Sequence, residues 1–133
     1  KQKAITLDWE APRDLPMVFA DIGLVERVLQ NLLDNALKHT PAQGHVSLIL
    51  ENGEAGVQIR VADSGPGIPE EQQAHIFERY RKVENTKQKN TAGAGLGLAI
   101  VKKILEIHQS TIHVRNREQR GAEFFFQLPL AVG

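Results

Sequence analysis

The chain has no cysteine, no apolar run approaching the length of a membrane span, and no net charge. Without cysteine it can form neither a disulfide framework nor a thiolate metal site, which fits a reducing compartment such as the cytoplasm. A spanning helix needs about 20 consecutive apolar residues, so no membrane insertion is expected from this segment. The opening KQKAITLDW lacks the pattern of a signal peptide and reads as the interior of a longer protein, cut at a domain boundary. Sixteen basic and sixteen acidic residues cancel, and overall charge therefore points to neither nucleic acid nor an anionic membrane surface.

What is present is a globular composition, 41% hydrophobic and 24% charged over 133 residues. That length supports one core and is short for two, so a single domain over residues 1–133 is expected. Residues 4–9 alternate, with Ile5, Leu7 and Trp9 on one side, as in a half-buried strand; Pro12 and Pro16 interrupt it. From Asp21, a natural N-cap, to about Lys38, apolar residues recur at Ile22, Val25, Val28, Leu29, Leu32, Leu33, Ala36 and Leu37, the spacing of an amphipathic helix. Strands over 45–51 and 57–63, joined by the turn-prone NGEAG, read as a hairpin. A short helix is expected from Pro69, a long one over 96–108, and two closing strands around Ile112 with Val114 and Phe124 with Phe126 and Leu128. The expected order is β-β-α-β-β-α-α-β-β. It implies a two-layer α/β sandwich: a mixed, mainly antiparallel sheet with three main helices on one face.

Four stretches carry residues suited to chemistry. In ERVLQNLLDNALKHT, residues Asn31, Asn35 and Lys38 share a helix stripe roughly 60° wide, away from the apolar face. Such a stripe is either a solvated surface or a site in which carboxamide oxygens meet magnesium and the lysine meets a phosphate. In VADSGPGIP, alternation puts Asp63 on the inward side with Val57, Ile59 and Val61. An inward carboxylate needs donors, whether it caps the turn or accepts from a ligand amine reaching it across Gly65 and Gly67. The aperiodic RYRKVENTKQKNTA holds Arg79, Arg81, Lys82, Lys87 and Lys89 against one acid, Glu84, as in a solvated loop or a lid over a polyanion. Lastly, GAGLGLAIVKK sets glycines at a helix start, where unpaired N–H groups can bind phosphate. It is neither a dinucleotide fingerprint, since no strand precedes it, nor a P-loop, since GxxxxGK is missing. His45, His75, His108 and His113 show no metal-ligand spacing and are read as surface or packing residues.

In this order, the stretches resemble the catalytic, ATP-binding domain of sensor histidine kinases, a branch of the Bergerat-fold superfamily of gyrase-type, chaperone and mismatch-repair ATPases. QNLLDNALKHT is similar to the asparagine box, DSGPGIP to the first glycine box, IFERY to the phenylalanine box and GAGLGLAIVKKI to the second glycine box, while GAEFFFQLPL is similar to the closing strand. The resemblance covers nearly the whole chain. It implies ATP and Mg2+ as cofactors, with Asn35 as magnesium ligand, Asn31 supporting metal and phosphates, Lys38 on a phosphate and His39 near the ribose. Asp63 would accept from the adenine amine, in a pocket formed with Gly65, Gly67 and Ile68. Phe77 and Tyr80 would anchor a lid over about 79–94, and Gly93, Gly95, Leu96, Gly97 and Leu98 would form its far hinge.

Three departures from the family pattern stand out. In ERYRKVE, Lys82 is the best positional match for the cation on the γ-phosphate, with Arg79 and Arg81 as substitutes. Ala122 and Glu123 stand where a hydroxyl residue is common. Position 31 is Asn where hydrolysing relatives carry Glu, which favours transfer to a protein over hydrolysis. The implied partners are a separate helical dimerisation domain bearing the phosphoacceptor histidine and a response regulator. The alternatives are a stand-alone ATPase, a regulatory serine kinase, or a nucleotide-binding module without transfer activity.

Overall fold

The computed structural model describes residues 4–15, 18, 20–54, 56–78 and 94–129. Along the chain these form β1 (Thr6–Glu10), α1 (Ile22–His39), β2 (His45–Asn52), β3 (Gly56–Asp63), α2 (Glu70–Gln73), α3 (Ala94–Ile107), β4 (His113–Asn116) and β5 (Ala122–Pro129). The strands make one five-stranded sheet in the order β1-β2-β3-β5-β4. β1 runs parallel to β2, which requires a crossover, and α1 supplies it; the remaining pairs are antiparallel. This is the expected open α/β sandwich with a mixed sheet.

α1 forms where the apolar spacing places it. The Asp21 carboxylate accepts from the Leu24 N–H at 3.0 Å, closing the first turn as an N-cap. Val28, Leu32 and Ala36, four residues apart, turn one stripe into the core. At the far end Thr40 is fully buried, and its hydroxyl donates to the Ala36 carbonyl at 2.7 Å as the chain turns extended. Val101, Ile104 and Leu105 of α3 join α1 over Val46, Val57, Ile59, Val61, Phe124, Phe126 and Leu128 of the sheet. Each fully buried side chain of this size contributes about 1.5–3 kcal/mol. Cross-strand partners Val46 and Asp63, Leu48 and Val61, and Ile59 and Phe126 share that helix-facing side.

Two expectations are corrected near the N-terminus. Instead of two strands before the first helix, the described residues hold one, with only a lone bridge residue at Val18. β1 is also exposed along its length: Ile5, just before it, packs against the core, yet Leu7 and Trp9 are 54% and 71% exposed. Both face the helix side, opposite Val46 and Leu48, but β1 is an edge strand and α1 packs against β2 and β3. Ile22, counted with the apolar face of α1, lies at the helix tip and is 82% exposed.

Candidate functional site

The second half of α1, the loop after β3 and the start of α3 come together along the helix-facing side of the sheet. Asn31 Nδ2 donates to the Gly97 carbonyl at 3.4 Å, which ties the middle of α1 to the first turns of α3. One turn on, Asn35 is half-buried and makes no side-chain hydrogen bond among the described residues. Lys38 and His39 are exposed in the last turn. Gly65 lies against the end of the same helix, where an added Cβ would stand 2.5 Å from the His39 carbonyl oxygen. A side chain at position 65 would push the loop off α1.

Asp63 closes β3 with 4% exposure, on the inward side where alternation puts it. Its Oδ1 accepts from the N–H groups of Gly65 at 2.8 Å and Ala122 at 3.2 Å. Oδ2 has no hydrogen-bond partner among the described residues. The carboxylate is thus positioned through one oxygen and open through the other. Oδ1 caps the turn, as the first of the two sequence readings expects. Ala122 reaches Asp63 through its backbone N–H. Ser64 is pinned beside it, its N–H donating to the His45 carbonyl at 3.1 Å and its Oγ accepting from the His45 N–H at 2.9 Å.

Ile68 and Phe77 from the segments after β3, and Leu98 from α3, pack onto the core, and the Phe77 ring meets Phe124 edge-on at 5.9 Å. Gly67 has φ +87°, and Gly95 and Leu96 fall in the first turn of α3. Arg79, Tyr80, Arg81, Lys82 and Gly93 lie outside the described residues. The four other histidines have ordinary roles: His45 pairs with Asp8, His75 with Glu78, His113 stacks on Phe125, and His108 joins the Asp21 N–H to the Ile104 carbonyl. No group of three or more His, Asp or Glu suited to a metal occurs among the described residues. Asn35 still fits magnesium as the cation is usually held on nucleotides, by one or two protein oxygens with water and substrate phosphates completing the shell.

Sequence reasoning expected a turn near Gly121 between the closing strands but missed what that turn contacts. Asn116, Arg117 and Arg120 all hydrogen-bond to the backbone of the 63–68 loop. The only cue in the sequence is the polar run NREQRG before the closing strand, which is indistinguishable from any exposed turn.

Residues 20–132 match the family described as histidine kinase-, DNA gyrase B- and HSP90-like ATPase. The chain belongs to this family. Within it, the sensor histidine kinases are its relatives. It is 42% identical over 130 residues to the adaptive-response sensory kinase SasA of Synechocystis sp., an alignment covering 97% of this chain and 33% of that protein. The chain therefore spans about a third of the length of the curated relatives it matches. Among solved structures, the catalytic domain of histidine kinase ThkA, nucleotide-free, superposes with a TM-score of 0.80 at 34% identity, over 95% of this chain and 80% of that one. ThkA in complex with response regulator protein TrrA gives 0.78 at 32%, over 96% and 34%. Full-length ShkA in complex with AMPPNP gives 0.80 at 35%, over 97% and 27%. Among its described residues this member of the family has no helix long and apolar enough to cross a membrane.

Proposed function

We propose that the chain is the catalytic domain of a cytoplasmic sensor histidine kinase segment, with a lid at about 79–94, that binds Mg-ATP and passes the γ-phosphoryl group to a histidine on a separate helical dimerisation domain, for signalling to a response regulator. The observation that carries this reading is Asp63: a buried carboxylate fixed through Oδ1, with Oδ2 left for a donor such as the adenine amine. Asn31, Asn35 and Lys38 lie along one stripe of α1, which Asn31 ties to α3, and in this reading they meet the phosphate chain that extends from that base. The complexes of ShkA with AMPPNP and of ThkA with a response regulator support the choice of nucleotide and partner.

In this reading Asn35 holds magnesium, which when bound neutralises charge on the phosphate oxygens. The chain's own residues do the rest by positioning: Asp63 orients the base, Lys38 meets a phosphate, and Arg79, Arg81 or Lys82 approaches the γ-phosphate from the lid. Asn31 offers a carboxamide, not a carboxylate, and so has no base with which to take a proton from water; this favours transfer over hydrolysis.

Titration calorimetry tests the pocket. Asn35→Ala should weaken ATP binding in magnesium by about tenfold and leave binding in chelator unchanged; a variant that binds as tightly as wild type in magnesium would remove Asn35 from the metal site. With γ-labelled ATP, label should appear on an added helical phosphoacceptor domain and little on the chain alone. Rapid release of free phosphate by the chain would favour the ATPase alternative.

A further inference from the structure

The turn between β4 and β5 is exposed, yet the side chains of Asn116, Arg117 and Arg120 are spent on the backbone of the 63–68 loop. Asn116 Oδ1 accepts from the Ile68 N–H at 2.8 Å, and its Nδ2 donates to the Ile68 carbonyl at 2.9 Å. Arg117 Nη1 donates to the Asp63 carbonyl at 2.9 Å, and Arg120 Nε to the Ser64 carbonyl at 3.0 Å. From inside, the Ala122 N–H reaches Asp63 Oδ1. On the other side, Gln73 of α2 donates to the same Ile68 carbonyl at 3.0 Å.

Two glycines make this approach possible. Gly121, with φ +98°, runs so close that a Cβ would fall 1.8 Å from the Asp63 carbonyl oxygen. At Gly67, with φ +87°, a Cβ would stand 2.8 Å from Asn116 Oδ1. Arg117 and Arg120 make no ion pair among the described residues, so these exposed guanidiniums are committed to carbonyls.

We propose that Asn116, Arg117 and Arg120 are positioning residues for base recognition: the turn they form fixes the 63–68 loop from outside and so sets the angle at which Asp63 Oδ2 meets the nucleotide's exocyclic amine. This rests on the adenine reading of Asp63 given above. A hydrogen bond weakens steeply with misalignment, so a loop released on one side loses discrimination before it loses its fold. Asn116 has the largest share, because it satisfies both backbone groups of one residue.

The test compares Mg-ATP with Mg-ITP, whose base has a carbonyl in place of the amine, by titration calorimetry on the 133-residue chain. Wild type should prefer ATP, and Asp63→Asn should abolish the preference. Asn116→Ala should weaken ATP binding roughly fivefold to tenfold and leave ITP binding unchanged. Arg117→Ala should do so by less, and Arg117→Lys, which keeps one donor, should restore part of the loss. Gln119→Ala, on the same turn with no hydrogen bond among the described residues, should bind as wild type. If Asn116→Ala and Arg117→Ala leave the ATP:ITP ratio at the wild-type value, whether both affinities fall together or neither moves, the positioning role is wrong. A wild type without preference, or an Asp63→Asn variant that keeps it, overturns the adenine assignment instead, and the role of the turn with it.

Discussion

Asp63 and Glu123 are the two carboxylates buried among the described residues, at 4% and 5% exposure on neighbouring strands. They lie one register step apart, Glu123 opposite Ala62, and alternation sends them to opposite faces of the sheet. Glu123 faces outward into a ring of charge: Arg60 Nη1 donates to its Oε2 at 2.8 Å, and Arg115 Nε and Nη2 to its Oε1 at 2.8 and 2.7 Å. Arg60 also holds Glu51, and Arg115 lies 4.5 Å over the Phe125 ring. Burial works against the Arg60 charge, but Glu51 and Glu123 more than offset it and hold its pKa above the ordinary arginine value. The Asp63 carboxylate pairs with no cation among the described residues, only with two backbone N–H groups on a single oxygen. A carboxylate saturated by guanidiniums is structural. One held by neutral donors on a single oxygen leaves the other oxygen for something else.

Removing a partner from Glu123 should have the largest effect on stability. Arg60→Met leaves a buried carboxylate with Arg115 alone and should cost about 3 kcal/mol in denaturant unfolding, with ATP affinity retained. A loss of ATP binding at unchanged stability would reverse the roles of the two acids. Asp63→Asn is the mirror case. The amide oxygen can still accept from Gly65 and Ala122, so the unfolding midpoint should move little, while ATP binding should lose about 2 kcal/mol.

Arg115→Ala should cost about 1 kcal/mol, because this cation is more than half exposed and Arg60 remains with Glu123. The smallest effect is expected at Asp8, exposed on β1, whose carboxyl His45 and Ser47 hold below its ordinary pKa by hydrogen bonding. A depressed folded pKa stabilises above the unfolded value and ceases to do so as pH falls through the folded one. Thermal midpoints of wild type and Asp8→Asn should therefore differ slightly at neutral pH and converge in acid; a gap that widens in acid would contradict the sign.

The contrast between the acids also marks what can be read from sequence. Asp63 was legible because it follows Val57, Ile59 and Val61 at a period of two, and a carboxylate in that register stands out. α1, with Asp21 at its start, and the β2–β3 hairpin were legible for the same reason, since local periodicity and end signals fix them. Glu123 was not, because alternation places it outward, where charge is unremarkable; its burial comes from Arg60 on the next strand. β1 was misread as half-buried because alternation specifies two faces without saying whether anything covers them. The Asn116, Arg117 and Arg120 contacts span 48 to 56 residues and end on backbone atoms, which leave no trace in composition. The proposed lid cations Arg79, Arg81 and Lys82 lie outside the described residues.

Trp9 is the chain's one tryptophan, on the uncovered edge of the sheet and far from the core aromatics. Its indole already meets water in the folded state, so native emission should be red-shifted and change little on unfolding. Intrinsic fluorescence is then a poor gauge of folding here. It is a sensitive gauge of anything that comes to lie against β1, since desolvating that one ring would shift the whole signal to the blue.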